Sequence, residues 1–188
     1  MSDAEDAERR AVILDYLPHG QPGGQRGSPD ATPRAQALGV EEFRLFSLIL
    51  EEDADISIGD TVSIRPPDPG IAEFQELMFD DLTSSASSEL EYAVREVVEA
   101  DAQRFVDVYN DAQPITLRLH QLDLLPGIGE TLRNNILDQR KRGPFDSFAD
   151  VEERVDGLHD AEEVIIERIH EELTADDLKY YLFVTGGG

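Results

Sequence analysis

Leu122-Asp123-Leu124-Leu125-Pro126-Gly127-Ile128-Gly129 reads as a short helix ending in a tight glycine turn, and Glu130 to Arg142 as a second helix. Ile128, Leu132 and Ile136 fall at i, i+4 and i+8, which gives that second helix one buried side. The two glycines let the backbone turn sharply and approach a ligand closely. Free N–H groups at the start of the second helix then converge on one point, where the helix dipole favours an anion. A phosphate of a nucleic-acid backbone fits this chemistry, and nothing in the pattern reads a base. The alternative is a plain packing turn with glycines present for tightness.

The pattern is that of a helix-hairpin-helix. Its candidate contacts are Gly127, Ile128, Gly129 and Thr131 at the turn, with Arg133, Arg140, Lys141 and Arg142 along the second helix. A shift of thirty residues lays Gly127 on Gly157, Ile128 on Leu158 and Ile136 on Ile166, so residues 145–173 read as a second copy. In that copy Gly129 becomes His159 and Arg133 becomes Glu163, which keeps the core and loses the anion site. The second hairpin, near 156–159, is expected to be structural.

Charge points to the same stretch. The 188 residues carry 41 Asp and Glu against 16 Lys and Arg, a net charge of −25. Residues 114–148 hold five bases and four acids, a net +1, which leaves −26 on the other 153 residues. The segment spared acidification is where a polyanion would sit. Elsewhere the acid is spread along the whole chain and Lys141 and Lys179 are the only lysines, a composition that resembles proteins of extremely halophilic archaea. At about 1 M salt the Debye length is about 3 Å, and the self-repulsion of such a chain becomes tolerable.

Before residue 86 the texture is different. Ala11 to Leu17, Gln36 to Gly39, Glu42 to Leu50 and Thr61 to Arg65 are strand-like runs bounded by Gly, Pro and Asp. Glu42 to Leu50 is apolar on both faces and calls for a closed or covered sheet. Residues 1–10 read as a flexible tail, 21–33 as a loop, and Ile71 to Leu82 is ambiguous between strand and helix. Ser88 and Glu91 form a capping box, and apolar spacing from Leu90 to Tyr109 predicts one helix of about six turns. Lys179 to Val184 returns to strand character and is expected to pair with the first sheet. The expected fold class is α+β. A small OB- or S1-like barrel is built from 11–86 with 176–188, and an all-α domain, 87–175, is inserted before the last strand.

Several function classes find little footing. There is no cysteine for a disulfide, a thiolate metal site or a nucleophile, and His19, His120, His159 and His170 include no pair at metal-ligand spacing. Carboxylate pairs such as Asp53/Asp55 and Asp80/Asp81 arise readily by chance among 41 acids. No P-loop, nucleophile elbow, membrane-length apolar run or signal segment is present. The expectation is a cytoplasmic, non-enzymatic protein without cofactors.

Taken together, Leu82-Thr83, Leu119-His120-Gln121-Leu122 running into the Pro126–Gly129 turn, Arg140, Pro144-Phe145-Asp146-Ser147-Phe148, Arg168-Ile169 with Glu172-Leu173, and Lys179-Tyr180-Tyr181-Leu182-Phe183 resemble an archaeal family. This is the family called domain of unknown function 655, described as predicted nucleic-acid-binding helix-hairpin-helix proteins. The resemblance covers about residues 80–184. It implies an OB-like barrel joined to a helical hairpin domain, with no established activity. Family genes lying beside those for ribosomal proteins and an rRNA dimethyltransferase lean the implied ligand toward RNA. Family members carry basic residues after Gly-Ile-Gly, whereas Glu130 and Thr131 stand there in this chain. The expected function is binding of an RNA or DNA backbone with little sequence specificity. The alternative is an adaptor for ribosome- or transcription-associated proteins, with the hairpin as scaffold. A metal-dependent nuclease is a distant third.

Overall fold

β-branched and apolar runs separated by turn residues become five strands: β1 Arg9–Leu17, β2 Arg34–Gly39, β3 Leu45–Leu50, β4 Thr61–Arg65 and β5 Ile71–Leu77. The computed structural model describes residues 9–20 and 31–185. The expected loop over 21–33 and tail over 1–10 lie mostly outside these, but Arg9 and Arg10 belong to β1 and not to a tail. The strands form an antiparallel sheet in the order β4-β1-β2-β3-β5, curled into a half-barrel. The ambiguous stretch after Gly70 is strand, paired with β3 from Leu45↔Leu77 to Leu50↔Ile71.

One face of the sheet is an apolar core, with Ile13, Ala37 and Phe46 in one cross-strand row and Ala35 beside Leu48 in the next. Strict alternation would put Asp15 on this face too. A bulge between Ile13 and Asp15 turns it over, because a one-residue slip exchanges the two faces of a strand. Asp15 then lines up with Gln36 and Ser47, all three buried.

This polar row receives the start of the first helix, α1 (Ser84–Ala100). Thr83 Oγ1 accepts from Ala86 N at 3.0 Å and donates to Asp15 Oδ2, while Thr83 N donates to Gln36 Oε1 at 2.8 Å. Thr83 is therefore the N-cap. The expected capping box at Ser88 and Glu91 does not form, and Ser88 Oγ donates to the Ser84 carbonyl inside the helix. Thr83→Ala should cost about 2–3 kcal/mol, since it removes a cap and takes from a buried carboxylate its side-chain donor, leaving only Tyr16 N. Thr83→Ser should keep most of that. Denaturation midpoints of the two variants check this.

The expected six-turn helix is two helices, broken at Asp101, where φ is −135° and ψ 54°; α2 follows as Ala102–Asp111. Val98 and Phe105, buried on either side of the break, are seven residues apart, two full turns. Apolar spacing therefore runs through the break without registering it. After α2 come a 3₁₀ turn at Gln121–Leu124, α3 Glu130–Arg140, α4 Phe148–Arg154 and α5 Ala161–Thr174. α2 packs against α3, α4 and α5. Tyr109, fully buried, donates its hydroxyl to the Ala161 carbonyl at 2.7 Å, and Asn110 pairs with both backbone groups of Phe145.

Residues 179–184 are not a strand and do not join the sheet, whose outer members are β4 and β5. Their backbone groups are taken by side chains of α5. Arg168 donates to the Tyr180 carbonyl at 2.7 Å, and Leu182 N donates to Glu172. Thr185 N then meets the Glu42 carbonyl. Val94–Leu182 form one contact unit; the described residues before it, with Phe183 to Thr185, form the other.

Candidate functional site

The first turn is set by Pro126 and Gly127. Ile128 N donates back to the Leu125 carbonyl, and Gly127 has φ of +75°, the geometry of a turn with proline second and glycine third. Gly129 is the N-cap of α3, in extended backbone at φ −97° and ψ −172°, with no side chain to cap the helix. Gly127, Gly129, Glu130 and Thr131 are exposed, while Ile128 packs inward. A Cβ at Gly129 would meet nothing within 4 Å. Neither backbone nor packing requires glycine there. What it does is leave the first N–H groups of α3 open to an approaching acceptor.

The second turn repeats the first as far as Leu158, after which the helix starts differ: the α5 N-cap is Asp160, left-handed at φ 52° and ψ 51° and one residue later in the thirty-residue register than the extended Gly129. Gly157 has φ of +88°, Leu158 N donates to the Val155 carbonyl, and Leu158 is buried as Ile128 is. A Cβ on Gly157 would lie 3.3 Å from Leu132 Cδ2, a tight contact, and the positive φ is what calls for glycine here. Ala161, thirty residues after Thr131, gives its N–H to Glu152 Oε1 at 2.8 Å. The second turn holds an anion, and the anion is the chain's own carboxylate. The thirty-residue shift lays Glu152 on Leu122, an apolar residue that leaves the first turn uncapped. Sequence reasoning missed Glu152, although the same superposition carried the signal.

The basic candidates do not gather at one point. Arg133 pairs with Asp123 through two contacts, at 2.9 and 3.2 Å, and both side chains are mostly buried. Asp123 Oδ2 also accepts from His120 N at 2.8 Å, so this pair braces the 3₁₀ turn that leads into the glycine turn. Arg140 donates to the carbonyls of Tyr109 and Ala112 and closes the C-terminus of α2. Lys141 and Arg142 are exposed beyond the far end of α3, about 18 Å or more from Gly129 at 1.5 Å per residue. Arg154, beyond the net +1 stretch, ties the Gln139 and Gly143 carbonyls together and lies over the Phe145 ring at 4.5 Å. Arginines in this region serve carbonyls and carboxylates of the chain first.

A cleft of about 380 Å³ opens beside the first turn, between Glu130 and Arg133 on α3 and the loop from Pro114 to His120. His120 is buried, and its Nδ1 accepts from Leu122 N at 3.1 Å, which requires the neutral ring. Burial, with help from the Arg140 and Arg133 charges, lowers its pKa below the usual 6.5. Between the two pKa values the unfolded chain binds more protons, so stability falls as the pH drops below about 6.5. His120→Asn should flatten that part of the curve of Tm against pH. Among the described residues no group of three or more His, Asp or Glu side chains is placed to hold a metal ion, and no helix is long and apolar enough to cross a membrane. Asp81 caps the turn at Met78 instead.

Residues 7–185 match the family described as protein of unknown function DUF655. The chain belongs to that family. An uncharacterized protein from Methanocaldococcus jannaschii is 39% identical over 180 residues, covering 94% of this chain and 80% of that protein. The crystal structure of a DUF655 protein from Archaeoglobus fulgidus superposes with a TM-score of 0.83 at 33% identity, covering 95% of this chain and all of that one. The mixed α and β architecture is thus that of a solved family member.

Proposed function

We propose that this DUF655 protein binds the phosphate backbone of RNA or DNA, without strong sequence preference, through a helix-hairpin-helix at Leu122 to Arg140. The half-barrel is then an OB-like scaffold. One observation carries this reading: two matching glycine turns each lead into a helix N-terminus, one starting after Asp160 and filled by Glu152, the other starting after Gly129 and left open. A site that takes a carboxylate oxygen in one copy has the donors for a phosphate oxygen in the other. Binding rests on short-range hydrogen bonds, because a chain at −25 repels a polyanion and molar salt removes most of the counterion-release gain.

Fluorescence anisotropy with RNA and DNA oligonucleotides in molar KCl tests it. Glu130 is exposed, so Glu130→Lys should leave the fold unchanged and tighten binding by about tenfold, the size of one charge-assisted contact. Arg133→Ala should weaken binding and also loosen the Asp123 brace, whereas Glu163→Ala, in the filled hairpin, should do neither. If neither the parent nor Glu130→Lys binds any probe, the turn is a packing element and the chain is better read as an adaptor for proteins.

A further inference from the structure

We infer that the loop from Pro114 to His120 is a second contact element of the same interface, in which Leu117 wedges between stacked bases and Arg118 grips the adjoining phosphate. This rests on the hairpin reading above. Leu117 is fully exposed, at 105% of its reference area, on the tip of a loop that is tightly built. Ile115 N and Thr116 N both donate to the Leu119 carbonyl, and Thr116 Oγ1 accepts from the N–H groups of Arg118 and Leu119. A bridge between Pro114 and His120 closes the base of the loop. The tip is held out, with its apolar side chain offered to solvent.

Arg118 is exposed beside it, and its guanidinium takes part in none of the ion pairs among the described residues, in a chain with 41 acids. That sets it apart from Arg133, Arg140, Arg154 and Arg168, which are all engaged. The loop also forms one wall of the cleft whose other wall is Glu130 and Arg133 at the start of α3. A phosphate at Gly129 would therefore bring the neighbouring bases toward this loop. An apolar side chain on a rigid tip, flanked by a free guanidinium, suits partial unstacking of a base step. A protein partner would need a broader apolar patch than one leucine.

The test uses the whole protein and an RNA duplex with a central 2-aminopurine, with the DNA duplex of the same sequence run alongside, in molar KCl. Unstacking raises 2-aminopurine fluorescence. The parent should raise it on binding. Leu117→Ser should abolish the rise and weaken binding about tenfold, the worth of burying one leucine, with Leu117→Met retaining both. Arg118→Gln should weaken binding by about tenfold. Leu117 makes no burying contact, so melting temperatures should not move. If the parent binds and Glu130→Lys tightens, but fluorescence stays flat and Leu117→Ser binds as the parent does, the wedge is wrong and the hairpin reading stands. If the parent binds neither duplex, the hairpin reading falls and the wedge falls with it.

Discussion

Glu172→Ala is expected to destabilise the protein by about 3–5 kcal/mol, because it takes from a buried guanidinium its buried counter-charge and leaves only the half-exposed Glu171, at 3.2 Å. Arg168 is 5% exposed and Glu172 3%, and their Nε to Oε1 contact is 3.0 Å. The same two side chains hold the Tyr180 carbonyl and the Leu182 N–H, so the loss also frees the C-terminal segment. At about 4–8 °C per kcal/mol for a unit of this size, the melting temperature should drop by more than 12 °C. Exchanging both partners together, Arg168→Met with Glu172→Leu, should recover much of it, because an apolar pair removes the desolvation cost of both charges. Removing residues 178–188 should also be costly, through orphaned donors and acceptors on α5 and not through loss of a sheet strand. A double variant as unstable as Glu172→Ala would show that the backbone contacts, and not the ion pair, carry the effect.

Gly129→Asp should move stability and binding in opposite directions. Gly129 is an N-cap in ordinary extended backbone with open space around its Cβ position, so aspartate fits without strain. Its carboxylate would accept from the first turn of α3 and meet the positive end of the helix dipole. Those two effects together are worth about 1 kcal/mol and raise the melting temperature by a few degrees. The same carboxylate would occupy the donors proposed for phosphate. Loss of two charge-assisted hydrogen bonds should weaken oligonucleotide binding by about a hundredfold or more. The variant makes of the first turn what Glu152 makes of the second. Binding unchanged in a protein that has become more stable would place the contacts elsewhere and sink the hairpin reading.

The sequence by itself determined the elements whose causes are local. Pro126-Gly127 and Gly157 specify their turns because glycine reaches positive φ without strain, and both turns appear thirty residues apart where the superposition places them. Apolar spacing fixed α3 and α5, and β-branched runs fixed the first four strands. The motif combination also determined the family.

Tertiary structure decided where the polar groups find partners. The bulge that swings Asp15 to Gln36 and Thr83 moved the helix start four residues before the local capping signal at Ser88. Tyr180-Tyr181-Leu182 has the propensity of a strand, yet the Tyr180 carbonyl and the Leu182 N–H go to a buried arginine and glutamate on the preceding helix, α5. Arg133 and Arg140 look like ligand contacts on a helical wheel, and in the fold they close internal carboxylates and carbonyls. Periodicity reports which side of an element is apolar. It carries no information on which partner a charged or hydrogen-bonding group meets, since that partner is brought in by long-range packing, and a buried polar group must be satisfied wherever the fold places it.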